Sequence, residues 1–300
     1  MRIGMFGGDA AGRTVDDIVA MAKGVEAEGF DALWMANIFG ADAMTLLAAV
    51  SREVPRITFG TGVVPTYLRH PMTMAQQALT VQAASGNRFL LGIGLSHKIV
   101  IEGMFGLSWD KPVRHMREYL SVLMPLLHER TVSFEGSTLT ARASVNVGSV
   151  TAPPVLVAAL GEQMLRLAGT MADGTATWMT GPETIASHTA PTIMAAAEAA
   201  GRTAPLIGAS LPVCVTHDLE SARERAATEY QVYGMLPSYR AMLDREGASG
   251  PEDVAIIGDE DDVLRRVDEL AAAGATDFIA AVFGDREERE RTRSVLQSLL

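Results

Sequence analysis

The sequence predicts one α/β domain over residues 1–300, a (β/α)8 barrel with insertions after strands four and seven. Three observations carry that prediction. Short β-branched or apolar runs alternate with longer amphipathic stretches about eight times along the chain. No linker rich in Ser, Gly or Pro divides the chain, and no repeat is stronger than the strand–helix unit itself. The 300 residues are 48% hydrophobic and 20% charged, enough for the core of a barrel this long, whereas an open doubly wound sheet would show fewer strands or a break between halves.

The first run, Arg2 to Phe6, precedes a helix from Thr14 to Glu28, where Ile18, Val19, Ala22 and Val25 recur at helical spacing; Thr14 suits the N-cap and Gly29 the stop. Ala32 to Met35 leads into a helix over Asp42 to Arg52. Ile57 to Val64 is followed by Tyr67-Leu68-Arg69-His70-Pro71 and a helix to Ala84, with Pro71 suited to the first turn and His70 to ordering it. The fourth run, Arg88 to Gly94, is apolar on both faces, as a strand in a covered parallel sheet should be. Residues 95–110 form an excursion before a helix over Val113 to Glu129, and Val132 to Gly136 reads as a small antiparallel strand with a turn, outside the main sheet. Val155 to Ala158 pairs with a helix over Glu162 to Met171, and Gly174 to Trp178 with one over Pro182 to Ala200. Leu206 to Val215 leads to a helix over Leu219 to Tyr233 and an irregular stretch to Ile257. A helix over Asp259 to Ala273, a strand over Asp277 to Val282 and a helix over Arg286 to Leu299 close the chain.

The balance of 25 basic against 36 acidic residues gives a net charge of −11, which excludes nucleic acid and anionic lipid as partners attracted at long range. Cys214 alone forms no intramolecular disulfide, no apolar stretch has the length of a membrane span, and the start carries no secretory pattern, so a cytoplasmic setting is expected. Cys214 lies in an apolar run and reads as buried filler.

In such a barrel the site lies at the carboxyl ends of the strands. Those ends hold Gly7, Asn37, Thr61-Gly62-Val63, Gly94-Leu95-Ser96-His97, Ala158-Ala159-Leu160-Gly161 and Trp178-Met179-Thr180. They contain no carboxylate pair, no metal-ligand cluster and no Ser/His/Asp set, so glycoside hydrolysis, zinc hydrolysis and acyl transfer lack their residues. Small residues and backbone amides suit a large planar or phosphorylated ligand instead. Gly92-Ile93-Gly94-Leu95-Ser96 is an anion-cradle candidate, with close strand packing as the other reading of its glycines, and the amides of Ala159 to Glu162 face the same task. His97, at the third-glycine position of a G-x-G-x-x-G pattern, argues against a Rossmann site. Among the six histidines it is the one placed after a strand end and a Gly-rich turn, where an imidazole reaches a bound cofactor and moves a proton near neutral pH. Met104, Phe105 and Trp109 in the excursion suggest an apolar lid.

Arg2-Ile3-Gly4, Glu28 to Trp34, Gly60-Thr61-Gly62-Val63-Val64 with Tyr67 to Pro71, and Asn87 to Gly94 together resemble the luciferase-like monooxygenase superfamily over nearly the whole chain. Gly94 to His97 and Trp109 to Leu120 look most like its branch that uses coenzyme F420, a 5-deazaflavin. The resemblance implies hydride transfer at C5 of a deazaflavin or N5 of FMN, a small-molecule substrate and a homodimer. It also implies a non-prolyl cis peptide at Gly62-Val63 backing the ring, Asn37 beside the ring, and Ser96, His97, Ala159, Leu160 and Gly161 near the phosphate or side chain of the cofactor. Gly7, Thr61 and Gly94 complete the expected cofactor contacts.

The sugar-phosphate dehydrogenases of the superfamily have a His where this chain has Ile38, a Glu where it has His97, and phosphate-binding lysines with no counterpart among Lys23, Lys98 and Lys111. Reduction of an activated C=C or C=N bond by coenzyme F420, with His97 or water supplying the proton, is the expectation. The alternatives are an FMN-dependent monooxygenase served by a separate reductase, and a non-catalytic cofactor-binding barrel.

Overall fold

The computed structural model describes residues 1–300. Eight strands carry the barrel: β1 (Arg2–Phe6), β2 (Ala32–Met35), β3 (Thr58–Thr61), β4 (Phe89–Gly94), β5 (Val155–Val157), β6 (Gly174–Trp178), β7 (Leu206–Val215) and β8 (Asp277–Val282). Each pairs in parallel with the next, and β8 pairs with β1, so the sheet closes. The predicted (β/α)8 barrel, with its insertions after β4 and β7, is the fold.

The local signals act as expected. The Thr14 hydroxyl and the Asp17 carboxylate cap one another's backbone at the first helix, Val15–Ala27. Asp42, Asp259 and Asp285 cap the helices that follow them. His70 Nδ1 accepts from the Met72 N–H at 3.2 Å, with Pro71 as first helical residue. Between strands and helices lies the main apolar core; inside the barrel is a smaller one of Ala32, Trp34, Leu90, Leu156, Ala176 and Ile279. Trp34 sits between Phe6 on β1 and Gly60 on β3 in the register, and a Cβ on Gly60 would lie 2.3 Å from its indole. Gly60 is glycine because the neighbouring strand spends that space on a tryptophan.

Tertiary structure changes three expectations. The Pro182–Ala199 stretch is not one α-helix: it passes through a π-turn at Ile185–Thr189, just before Pro191, which lacks the N–H an uninterrupted ladder needs. The hairpin pairs Thr131–Glu135 with Thr140–Ser144, a second strand too polar to show a pattern. The helix expected to reach Tyr233 stops at Glu229, and the irregular stretch folds into short helices at Gln231–Met235, Pro237–Arg245 and Pro251–Val254 and a strand, Ile256–Gly258, beside the end of β7. Pro237 and Pro251 start helices there, and Gly247 at φ 68° ends one.

Candidate active site at the barrel mouth

The third run breaks where the site begins. Gly60 faces Leu90 and Val64 faces Ile93, so β3 and its continuation, Val64-Pro65, hold one residue more than the facing stretch of β4, which defines a bulge. Within it the Gly62–Val63 peptide is cis. Thr61 repairs the interrupted ladder: its hydroxyl donates to the Gly92 carbonyl and accepts from the Gly92 N–H, both at 2.9 Å. Thr61 is fully buried and its side chain is spent on that task. A Cβ on Gly92 would lie 1.8 Å from the Thr61 carbonyl oxygen, and one on Gly94 2.6 Å from Val63 Cγ2. These two glycines make room for the bulge, the packing reading of their pattern, and the Gly94 carbonyl is taken by the Thr66 N–H at 2.9 Å.

The amides lie just beyond. The N–H groups of Leu95, Ser96 and His97 after β4, and of Ala159, Leu160 and Gly161 after the adjacent β5, donate to no group of the chain. Ser96 adopts φ 64°, turning the chain into the short helix Lys98–Gly103, of which His97 is the N-cap residue. Gly161 is the exposed N-cap of Glu162–Met171, with open space where a Cβ would stand. The second loop is held from behind, His188 Nε2 donating to the Leu160 carbonyl at 2.8 Å and Thr175 Oγ1 to that of Val157 at 2.8 Å. Ala159 itself is buried.

Gly7 and Asn37 frame the other side. The Gly7 N–H donates to the Trp34 carbonyl at 2.7 Å, and its carbonyl accepts from Arg13 at 2.6 Å. Asn37 Oδ1 accepts from the Ala43 N–H at 3.0 Å, which fixes the loop after β2 and leaves the amide nitrogen unengaged. His97 is half-buried, and burial pushes its imidazole below the usual value of 6.5, so the ring is mostly neutral at pH 7.

Aromatic side chains, of which the strand ends read from the sequence hold only Trp178, dominate the rest of the mouth. Phe6 lies over the bulge, its Cε2 3.5 Å from where a Gly62 Cβ would be, and its ring centroid is 5.7 Å from that of Trp178. Trp178 meets Tyr233 at 5.7 Å, Tyr233 meets Tyr239 at 5.0 Å, and Tyr239 meets His97 at 5.7 Å. A second cluster stacks Tyr67 on His115 at 3.9 Å and on Trp109 at 5.2 Å, with His115 Nε2 3.0 Å from Thr66 Oγ1. Burial lowers the His115 imidazole and pushes the Tyr67 hydroxyl up to about 12. The expected lid does not assemble: Trp109 joins Tyr67, whereas Met104 and Phe105 face solvent. The signal for the aromatic wall was the placing of the tyrosines. Three of the chain's five lie after β7, Tyr230 and Tyr233 at the end of the helix predicted to reach Tyr233 and Tyr239 in the stretch read as irregular.

The opposite end of the barrel has a depression of about 330 Å³ lined by Arg2, Asp31, Arg56 and Asp277 among others. Its charges are satisfied, Arg2 by Asp277 at 2.7 Å and Arg56 by Glu26 at 3.4 Å, and the Asp31 carboxylate accepts from the Ile3 N–H at 2.8 Å. The amides without acceptors lie at the mouth instead.

A closed barrel with a bulged third strand, unclaimed amides at two adjacent strand ends and an aromatic mouth defines the candidate site. The chain belongs to the luciferase-like monooxygenase family, whose pattern matches residues 2–277. It is 25% identical over 295 residues to the 5,10-methylenetetrahydromethanopterin reductase of Methanolobus tindarius, covering 88% of this chain and 89% of that protein. Among solved structures it is similar to the coenzyme F420-dependent tetrahydromethanopterin reductase of Methanopyrus kandleri, at TM-score 0.80 and 23% identity over 99% of this chain and 97% of that one. The FMN-bound oxygenating constituent of 3,6-diketocamphane monooxygenase of Pseudomonas putida is similar at TM-score 0.77 and 16% identity, over 99% and 96%. These two structural likenesses concern the fold.

Proposed function

We propose that this protein is a coenzyme F420-dependent oxidoreductase that reduces an activated C=C or C=N bond of a small organic substrate. The observation that carries the reading is the pair of amide clusters, Leu95 to His97 and Ala159 to Gly161, left without acceptors beside the bulge. They fit a cofactor whose anionic group is bound by main chain, in a chain with only three lysines. The likeness to methylenetetrahydromethanopterin reductases supports the same cofactor.

In this reading Ser96, Ala159, Leu160 and Gly161 hold the anionic side chain, Gly62 and Val63 back the ring, and Gly7, Thr61 and Gly94 shape its seat through the main chain. Asn37 offers its free amide to the ring edge. Bound and reduced, the deazaflavin supplies a hydride from C5. The protein's own part is to exclude water with its aromatic wall and to deliver from His97 the proton that completes the two-electron reduction. The protein works as a homodimer, which light scattering of the purified chain checks.

Titration with coenzyme F420 and with FMN, followed by absorbance, tests the cofactor. Tight FMN binding with no response to the deazaflavin would replace this reading with a flavin-dependent monooxygenase. A bound deazaflavin that is never reoxidised by a broad panel of enones and imines would leave a binding barrel without chemistry.

A further inference from the structure

The helix after β6 is broken where it passes behind the loop Ala159 to Gly161. Its last part, Ala190–Ala199, buries Ala190, Ile193 and Ala197 at α-helical spacing, and carried back unbroken that stripe would bury Ala186 and turn His188 to the opposite face. The π-turn over Ile185–Thr189, closed by the Ala190 N–H on the Ile185 carbonyl, reverses this: Ala186 and Ser187 are exposed, while His188 and Thr189 are buried. Pro191 accounts for the break in the ladder, and the register accounts for what the break achieves. The turn carries a cost of its own, since the fully buried Thr189 hydroxyl finds no partner.

What the turn places is the His188 imidazole, whose Nε2–H donates to the Leu160 carbonyl at 2.8 Å. Leu160 stands half-buried at the rim, where water could serve its carbonyl, so the imidazole adds direction more than satisfaction. The direction matters for the next group along. The only cis peptide of the chain is Gly62–Val63, so the Leu160–Gly161 peptide is trans and planar, and its N–H points away from its carbonyl. With the carbonyl held from behind, the Gly161 N–H, which no group of the chain accepts, is aimed outward at the exposed helix N-cap.

His188 is itself anchored from two directions. A Cβ on Gly169 would stand 2.4 Å from the Ile193 carbonyl oxygen, a close approach that fixes the helix capped by Gly161 against Ala190–Ala199. Ahead of the π-turn, the Thr184 N–H donates to the Glu246 carboxylate at 2.6 Å, which ties it to the insertion after β7.

Resting on the proposed cofactor reading, we infer that His188 is a positioning residue of the anion site: by fixing the Leu160 carbonyl it aims the Gly161 N–H, beside those of Ala159 and Leu160, at the phosphate of the cofactor's side chain.

Absorbance titration of the full chain with two pairs of ligands tests this: coenzyme F420 against its phosphate-free deazaflavin core, and FMN against riboflavin. In the wild type the phosphate-bearing member of the pair that binds is expected to bind about tenfold or more tightly than its phosphate-free partner. His188→Asn, whose amide N–H stops one carbon short of the carbonyl, should weaken the phosphate-bearing ligand by about tenfold and leave the phosphate-free one within about twofold of wild type. His188→Gln, whose amide nitrogen stands as many bonds from Cβ as Nε2 does, should recover the loss. Thr189→Val, which keeps the volume of the π-turn and removes its partnerless hydroxyl, should change neither ligand. Melting curves confirm that each variant is folded, and His188→Leu takes the place of His188→Asn if that chain does not fold. A wild type with no preference for the phosphate-bearing ligand, an equal loss for both members of a pair, no loss in His188→Asn, or no recovery in His188→Gln would overturn the inference. Failure of the cofactor reading is distinct: a wild type that takes FMN and ignores the deazaflavin, with variants behaving as described, loses F420 and keeps His188.

Discussion

The two ends of this barrel are built on opposite principles. At the amino ends of the strands, acidic side chains sit at the strand starts and every one is engaged. Asp31 accepts from Ile3 N–H, Asp173 from Val155 N–H at 2.8 Å and from Arg202 at 2.8 Å, and Asp277 from Arg2 and from Thr276 Oγ1. At the carboxyl ends the backbone amides after β4 and β5 are unclaimed, the Trp178 and Tyr67 polar atoms are buried without partners, and apolar side chains such as Ile38, Phe39 and Met104 face solvent. One end is closed in its hydrogen bonds and charges; the other leaves main-chain N–H groups open to water or a ligand. The difference between the ends is thus one of engaged carboxylates against open main-chain donors, and in a barrel of this type the second end is where ligands bind.

The sharpest break in that contrast is Gly92→Ala. A methyl group aimed at the Thr61 carbonyl displaces the bulge, so this mouth residue should cost about 3 kcal/mol of stability, measured by chemical denaturation, besides abolishing cofactor binding. His97→Ala should behave as a residue of the open end: kcat falls by about a hundredfold while the melting temperature barely moves. In the wild type the protonated imidazole is the donor and exists below its pKa, which burial has lowered, so kcat should fall as pH rises through a value below 6.5. A profile flat across that range would remove His97 from proton delivery.

Glu118 lies outside both ends and joins the hairpin to the helix Pro112–His128. Burial opposes its ionisation, but hydrogen bonds from the Ser137 and Thr138 side chains and backbones outweigh that and hold its carboxyl at about 2. Because the folded value lies below the ordinary 4.5, this contribution is present above pH 4.5 and is lost as pH falls toward 2. Glu118→Gln should cost about 2 kcal/mol at neutral pH and flatten the acid limb of the stability curve. The smallest effect belongs to the closed end. Arg2→Ala removes a pair whose arginine is 46% exposed, so it should cost no more than about 1 kcal/mol and leave turnover unchanged.

Local chemistry made much of this legible in advance. Thr14, Asp42, Pro71 and Asp259 start helices where their side chains satisfy or spare a free N–H, and Gly29 ends one at φ 90°, which depends on a few neighbouring residues only. The resemblance of Gly60 to Val64 placed the cis peptide, and the structure has it there. Of the candidate residues, the structure brings Ser96, His97, Leu160 and Gly161 together with the bulge, while it turns Thr61 inward. The aromatic wall was not legible, because Phe6, Trp178, Tyr233 and Tyr239 lie on three separate stretches of chain that only barrel closure brings into contact.

The sequence by itself determined the alternation of strands and helices, the sites of the two insertions and the acidic, lysine-poor character of the chain, since these follow from patterns a few residues long. Tertiary structure alone decided what the mouth is made of. The short helices of the insertion after β7 bury little of their own, Met242 and Leu243 in Pro237–Arg245 and nothing in Gln231–Met235, so they take their places from what they pack against, and the tyrosines they carry become a wall only once Trp178 is there to meet them.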